Sequence, residues 1–193
     1  MCSARRDGRH DRTARRMARV TLHVLTYSKV RMWRRGDLTA LGGDRKVDKQ
    51  IGISPSAHGT TLSGGVYVRS LVPPVGRTLY DVVTGLTPAL TQQALGSDLM
   101  AQTYGNGDTR PGVRYTTIVT EYDEVVTPYT EQFLTGANVT NVLLQDGCEA
   151  DRSEHLSSLY SERAWRFVLN ALDPDHQTPV PCFPVDPFFP NVK

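Results

Sequence analysis

Short apolar runs, rich in β-branched and aromatic residues, recur along the chain between more polar stretches. They fall at residues 20–25, 51–53, 115–120 and 138–146, and each is about one strand long. Residues of these types fit a pleated, packed surface, so each run predicts a strand. Helical patterns lie between and after the strands, and this alternation favours a mostly parallel sheet with flanking helices.

Two segments have the apolar periodicity of helices. Residues 87–100, "TPALTQQALGSDLM", predict a helix with Thr87 as N-cap and an apolar face made of Leu90, Ala94, Leu95 and Leu99. Residues 161–173, "SERAWRFVLNALD", predict an amphipathic helix with Ser161 as N-cap and one face made of Trp165, Val168, Leu169 and Leu172. The segment "PYTEQFL" predicts a short helix or turn.

Length and composition indicate one globular domain with two tails. The chain has 193 residues, 39% of them hydrophobic and 22% charged, and it lacks the run of about eighteen apolar residues that a membrane span needs. We predict an Arg-rich disordered tail at 1–19, an α/β domain at 20–182 and a Pro-rich tail at 183–193. Within the domain, residues 62–112 have the Pro- and Gly-broken pattern of a cap over a pocket, which an ordinary surface crossover shares.

Basic residues are concentrated at the N-terminus. Residues 1–35 contain eleven of the 22 Lys and Arg but two of the 20 acids, so the rest of the chain is acidic. The first nineteen residues lack the apolar centre of a signal peptide. Their arginines suit an anionic surface or a nucleic acid, or a tail too polar to fold. Because no aromatic residues or binding motif accompany them, we predict no nucleic-acid binding.

Candidate catalytic groups follow the strands. Asp123 comes just after strand 115–120, and His155 follows the next strand, where ligands and catalytic groups of open α/β sheets gather. A carboxylate beside an imidazole fixes its tautomer and stabilises its charged form, which is two thirds of a Ser-His-Asp triad. Ser28 follows the first strand and lies upstream of both, in the order that α/β-hydrolases use.

Three cysteines occur, at Cys2, Cys148 and Cys182. The last two lie in loop-like surroundings, "QDGCEAD" and "TPVPCFP". Spacing leaves two interpretations open: a disulfide formed in an oxidising compartment, or two unrelated thiols in a reducing one.

Four segments, "GGDRKVDKQIGISPSAHGTTLSG", "RYTTIVTEYDEVVTPY", "VTNVLLQDGC" and "AWRFVLNALDP…PVPC", together resemble the C-terminal part of secreted actinobacterial lipases. These are α/β-hydrolases of the class 2 triacylglycerol lipase family, and the likeness covers about residues 40–182. It implies Asp123 as triad acid, His155 as base, and a disulfide between Cys148 and Cys182. It further implies hydrolysis of fatty-acid esters at a water–lipid interface without a metal or cofactor, and export from the cell.

The N-terminal part departs from that resemblance. The family holds its nucleophile between two small residues on a strained turn, whereas Thr26 and Val30 flank Ser28 here, and the β-branched valine should clash. The strands that should precede the nucleophile are missing, so Lys29 remains the one candidate backbone N–H for an oxyanion hole. We therefore expect an N-terminally truncated fold, with residues 1–37 arising from a wrong start and a local frame slip.

The sequence thus predicts an α/β-hydrolase that cleaves carboxylic esters of lipids through Ser28, His155 and Asp123. A catalytically inactive, truncated or degenerate lipase homologue is the alternative, and a binder of anionic surfaces or nucleic acids through the arginine tail is a third. His58, in "SAHGTT", is interpreted as structural, with Glu124 a solvated neighbour of the acid. A sheet that begins at the nucleophile strand leaves an edge uncovered, so we expect self-association.

Overall fold

Parallel strands form the centre of the fold, in a computed structural model that describes residues 20–23, 43–64 and 91–187. The described strands are β1 (Val20–His23), β2 (Lys49–Ile53), β3 (Arg114–Val119) and β4 (Val139–Leu143). They lie side by side in chain order, and each neighbouring pair is parallel. The mostly parallel sheet predicted from the sequence is therefore confirmed, with the strands where the apolar runs placed them.

Helices and single turns of 3-10 helix connect the described strands. The α-helices are α1 (Asp98–Tyr104) and α2 (Glu162–Leu172), and the 3-10 turns are Gly43–Lys46, Tyr129–Gln132, Ser157–Leu159 and Pro174–His176. Ser161 caps α2 as predicted, because its side chain accepts the backbone N–H of Ala164. None of the described helices is long and apolar enough to cross a membrane.

Helix α2 covers one face of the sheet. The core there consists of buried apolar residues from β2, β3, the position directly after β4, and α2: Ile51, Ile53, Ile118, Leu144, Ala164 and Val168. Trp165 and Leu172 pack against this cluster, in agreement with the predicted apolar face, but Leu169 is 49% exposed, so its assignment to that face is wrong. It follows Val168 directly, and one helical residue turns the side chain by about 100° away from the sheet.

The single helix predicted for residues 87–100 is also wrong. Residues 91 and 92 are helical, but Ala94 pairs with Thr60 in an isolated parallel bridge and Leu95 is exposed. Gly96 then adopts a φ of 75°, in the left-handed region that ends helices, and the Ser97 side chain caps α1 by accepting the N–H of Met100. Helix α1 therefore starts afresh after a Gly-Ser break.

A cavity of about 640 Å³ opens at the amino ends of the strands, between the sheet and the C-terminal part of α2. Lys49 and Arg114, the first residues of β2 and β3, are among its lining residues, and Lys49 Nζ donates to the carbonyl of Leu172 at the end of α2. Burial and the neighbouring Arg114 lower the pKa of Lys49. Because the strands are parallel, this cavity lies at the opposite end of the sheet from Asp123.

Candidate active site

Asp123 lies in the turn that follows β3, and both oxygens of its buried carboxylate accept hydrogen bonds. Oδ1 accepts the backbone N–H groups of Val125 at 2.9 Å and Val126 at 2.7 Å. Oδ2 accepts Nε2 of Gln132 at 3.0 Å. Hydrogen bonds to both oxygens fix the plane of the carboxylate, and they suit its ionised, acceptor-only form.

His155 lies in the loop between β4 and α2, where neighbouring side chains fix the main chain. The Glu154 carboxylate accepts the N–H groups of Leu156 at 2.9 Å and Ser157 at 2.8 Å. Ser157 Oγ accepts the N–H of Glu154 at 2.8 Å, and Ser158 Oγ donates to the carbonyl of His155 at 2.9 Å. The stretch "SEHLSS" therefore forms a turn that holds the His155 backbone in one position.

The fold brings His155 and Asp123 into direct contact. His155 Nδ1 lies 2.9 Å from Asp123 Oδ2, and the two side chains are 5% and 0% exposed. Because a carboxylate accepts and cannot donate, the hydrogen of this bond is on Nδ1, and a neutral imidazole then has its lone pair on Nε2. No described residue hydrogen-bonds to Nε2. His155 therefore has the tautomer and orientation of a general base.

Two buried side chains connect the loops that carry the pair. Thr120, directly after β3, donates through Oγ1 to the carbonyl of Ser153 in the His155 loop. Gln145, after β4, donates through Nε2 to Thr120 Oγ1 at 3.1 Å and to the carbonyl of Asp151 at 2.9 Å, and its Oε1 accepts the N–H of Glu121 at 3.1 Å. These hydrogen bonds hold the turn that carries Asp123 against the loop that carries His155, at the carboxyl ends of β3 and β4.

Other acidic residues near the strand ends do not compete with Asp123. Asp151 is fully buried, but its Oδ1 accepts the N–H of Ser153 at 2.9 Å and the Ser153 hydroxyl, so it shapes the His155 loop. Asp146 and Glu124 are exposed. Within the part of the chain that the structure describes, no group of three or more His, Cys, Asp or Glu side chains is arranged to hold a metal ion.

A second histidine–aspartate pair lies near the acid. His58 Nε2 lies 2.9 Å from Asp108 Oδ1, and His58 Nδ1 lies 3.1 Å from the carbonyl of Glu131. Asp108 Oδ2 accepts both the N–H and the hydroxyl of Thr135, at 2.7 and 2.8 Å. Burial acts to raise the pKa of Asp108, but these bonds from His58 and Thr135 outweigh it and lower the pKa below its usual value. His58 is bonded through both ring nitrogens, in agreement with its structural interpretation.

A disulfide and a buried arginine hold the segment after β4 against the C-terminal residues. Cys148 and Cys182 are joined, with an S–S distance of 2.04 Å, in the pairing that the resemblance implied. Arg163 of α2 donates to the carbonyls of Leu144, Asp146 and Pro181, at 2.8, 2.6 and 2.9 Å. Val185, in the predicted Pro-rich tail, is buried and pairs with Asp151 in a parallel bridge.

Several predicted features lie outside the described residues. Ser28, Lys29 and the arginine-rich segment 1–19 all lie there, as do residues 65–90 of the predicted cap. The backbone of β1 is described and is parallel to β2, so its carboxyl end is at the edge of the sheet that carries Asp123. The nucleophile and the oxyanion N–H stay predictions.

Sequence reasoning missed two residues of the candidate site. Gln132 contacts the carboxylate of Asp123, and Asp108 completes the pair with His58. Neither follows a strand, and a glutamine has no titratable group to attract notice. Their contacts depend on how distant segments pack, which a single sequence does not display.

One solved structure gives this geometry a context. No family model matches the chain, and no curated protein matches it. The crystal structure of Aspergillus fumigatus lipase B matches with a TM-score of 0.55 and 29% sequence identity. The match covers 78% of this chain and 35% of that chain, so the present sequence spans about a third of the lipase's length. The chain therefore has a lipase-like α/β-hydrolase fold.

Proposed function

We propose that this protein hydrolyses carboxylic esters of fatty acids through a Ser-His-Asp triad made of Ser28, His155 and Asp123. The observation that supports this most strongly is the buried contact between His155 Nδ1 and Asp123 Oδ2, with Nε2 unpaired among the described residues. It occurs at the carboxyl edge of a parallel sheet in a chain similar to a lipase.

In the first half of the reaction, His155 Nε2 takes the proton of the Ser28 hydroxyl while Oγ attacks the ester carbonyl. The imidazolium that forms is stabilised by Asp123 through the Nδ1–Oδ2 hydrogen bond. The C–O bond to the alcohol then breaks, and Nε2 returns the proton to the departing alkoxide. An acyl group remains on Ser28.

In the second half, a water molecule replaces the alcohol. His155 Nε2 takes a proton from the water, the resulting hydroxide attacks the acyl carbonyl, and Ser28 leaves with the proton restored. Negative charge appears on the carbonyl oxygen in both halves. We assign the N–H of Lys29 to that oxygen, and a backbone donor of this kind contributes about 10²–10³ in rate.

Two observations support a lipid ester substrate and an oxidising compartment. The solved structure that matches the chain is called a lipase, which supports fatty-acid esters over other esters. The disulfide between Cys148 and Cys182 is typical of proteins that fold outside the reducing cytoplasm, which supports the proposal of a secreted enzyme.

A catalytically inactive homologue is the competing proposal, and the residues beside Ser28 favour it. Thr26 and Val30 occupy positions that need small side chains in a strained nucleophile turn. On this alternative the pairing of His155 with Asp123 persists as a structural relic, and the chain has no esterase activity.

Hydrolysis of p-nitrophenyl butyrate by the purified chain separates the two proposals. Three proteins are compared with the unaltered chain: Ser28→Ala, His155→Ala and the control His176→Gln. His176 pairs with Asp173, but both side chains are exposed, so its loss should leave activity unchanged. Turnover that both alanine variants abolish supports the triad. Equal inertness of all four proteins supports the inactive homologue.

A further inference from the structure

We propose that His58 and Asp108 are positioning residues for the catalytic acid, acting on Asp123 through Gln132. Within the described residues, the hydrogen bonds of the pair go to neither Asp123 nor His155. They go instead to the short segment that contains Gln132. The consequence for catalysis rests on the proposed function, whereas the consequence for the geometry of Asp123 and His155 does not.

Gln132 is the side chain that holds the oxygen of Asp123 facing His155. Its Nε2 faces two acceptors, Asp123 Oδ2 at 3.0 Å and the carbonyl of Val126 at 3.3 Å, which fixes the orientation of the amide. The side chain is fully buried, and no described residue donates to its Oε1. Oδ2 is also the oxygen that accepts His155 Nδ1, so a displacement of Gln132 shifts the position and direction of that bond.

His58 clamps the residue that precedes Gln132. The carbonyl of Glu131 accepts two hydrogen bonds from His58, one from the backbone N–H at 3.0 Å and one from Nδ1 at 3.1 Å. The His58 ring also lies against Tyr104 of α1, with ring centroids 4.9 Å apart. The last residues of the 3-10 turn Tyr129–Gln132 are thereby fixed to the loop after β2 and to α1.

Asp108 clamps the other end of the same segment. Its Oδ1 pairs with His58 Nε2, and its Oδ2 takes the N–H and the hydroxyl of Thr135, three residues beyond Gln132. One carboxylate therefore connects both clamps, and Gln132 lies between them. A buried amide held on both sides has little freedom to move, so the segment constrains the position of Asp123 Oδ2.

The test uses full-length variants His58→Gln, Asp108→Asn and Gln132→Leu, with His176→Gln as the control. The first readout is the proton NMR resonance of His155 Nδ1–H, assigned by its absence in His155→Gln, which needs no catalysis. We expect His58→Gln and Asp108→Asn to broaden or shift this resonance while the circular dichroism spectrum stays native. An unchanged resonance in both variants overturns the proposal. Loss of the folded state in both overturns it too, because the pair would then be a general folding contact.

The second readout is steady-state ester hydrolysis. A displaced catalytic group lowers kcat, so we expect a decrease between about tenfold and a hundredfold in His58→Gln, with KM nearly unchanged because substrate contacts remain. Combining His58→Gln with Gln132→Leu should lower kcat no further than Gln132→Leu alone, since the effect passes through Gln132. Full additivity of the two losses contradicts that route. If no protein hydrolyses esters, the proposed function fails while the NMR comparison still decides the positioning role.

Discussion

Replacing Asp123 with asparagine alters one atom in the buried pair and reverses its hydrogen bonding. The backbone N–H groups of Val125 and Val126 both need an acceptor, so the amide oxygen of the new residue takes the place of Oδ1. The amide nitrogen then takes the place of Oδ2, where it meets His155 Nδ1 and Gln132 Nε2. Because it donates, it stabilises the His155 tautomer with its hydrogen on Nε2, which cannot accept the serine proton.

The behaviour of Ser-His-Asp triads in general gives the size of this effect. Loss of the correct tautomer in a Ser-His-Asp triad lowers kcat by about 10⁴ with little change in geometry. That factor corresponds to about 5.4 kcal/mol in activation free energy. The new amide nitrogen and Gln132 Nε2 are both donors, so the buried hydrogen bond from Gln132 to residue 123 is lost. We therefore expect a decrease of about 1–3 kcal/mol in the free energy of unfolding.

Two measurements check the Asp123→Asn prediction. The first is kcat for p-nitrophenyl butyrate, with His176→Gln as the matched control, since that histidine also pairs with an aspartate but is exposed. The second is the ¹⁵N chemical shift of the His155 ring nitrogens, which reports the tautomer in the absence of turnover. The triad requires a decrease of about 10⁴, so a kcat within about threefold of the unaltered chain would contradict the role of Asp123. A hydrogen that stays on Nδ1 would refute it as well.

Three further predictions concern stability. Replacing both Cys148 and Cys182 with serine should lower the free energy of unfolding by about 4 kcal/mol on the chain-entropy model, because the two residues are separated by 34 positions. Equal urea midpoints for the variant and the unaltered chain would contradict this. Asp108 has a lowered pKa in the folded state. The stability it contributes is therefore fully present above pH 3.8, the ordinary pKa of an aspartate, and is lost as the pH falls through the folded-state pKa. Asp108→Asn should flatten the acid limb of stability against pH, and an unchanged slope in acid titrations of urea unfolding would count against it. Arg163→Met leaves three carbonyls without their donor and should lower the free energy of unfolding by about 3 kcal/mol or more. The control Arg166→Met, at a partly exposed position, should change it by about 0.5 kcal/mol at most. Similar losses in both variants would contradict a stabilising role of the buried Arg163 hydrogen bonds.

The strands and the last helix could be predicted from the sequence because their signals are local. Ile51 and Ile118 lie in apolar runs that predict strands from neighbouring residues alone. Ser161 likewise marks the start of α2 through a hydrogen bond to a residue three positions later. The prediction of one helix across residues 87–100 was wrong because it followed the apolar pattern and gave too little weight to Gly96 and Ser97. The backbone preference of Gly96 ends a helix, and the capping preference of Ser97 begins another.

The positions of the candidate acid and base were also predictable, because parallel strands bring the residues that follow them to a common edge. The residues around them were not. Gln132 reaches Asp123 through a 3-10 turn, and Asp108 reaches His58 across 50 residues, so both contacts arise from packing between segments. Tertiary contacts of this kind leave no periodicity in the chain.

Covalent labelling of the serine tests whether His155 and Asp123 activate Ser28 as a nucleophile. The purified chain is incubated with an organophosphonate that reacts with triad-activated serines, and the modified residue is located by mass spectrometry. We expect one phosphonate per chain, on Ser28, and loss of the label in His155→Ala and Asp123→Asn but not in His176→Gln. Absence of label on the unaltered chain, or equal labelling of Ser28 in the His155→Ala variant, would contradict it.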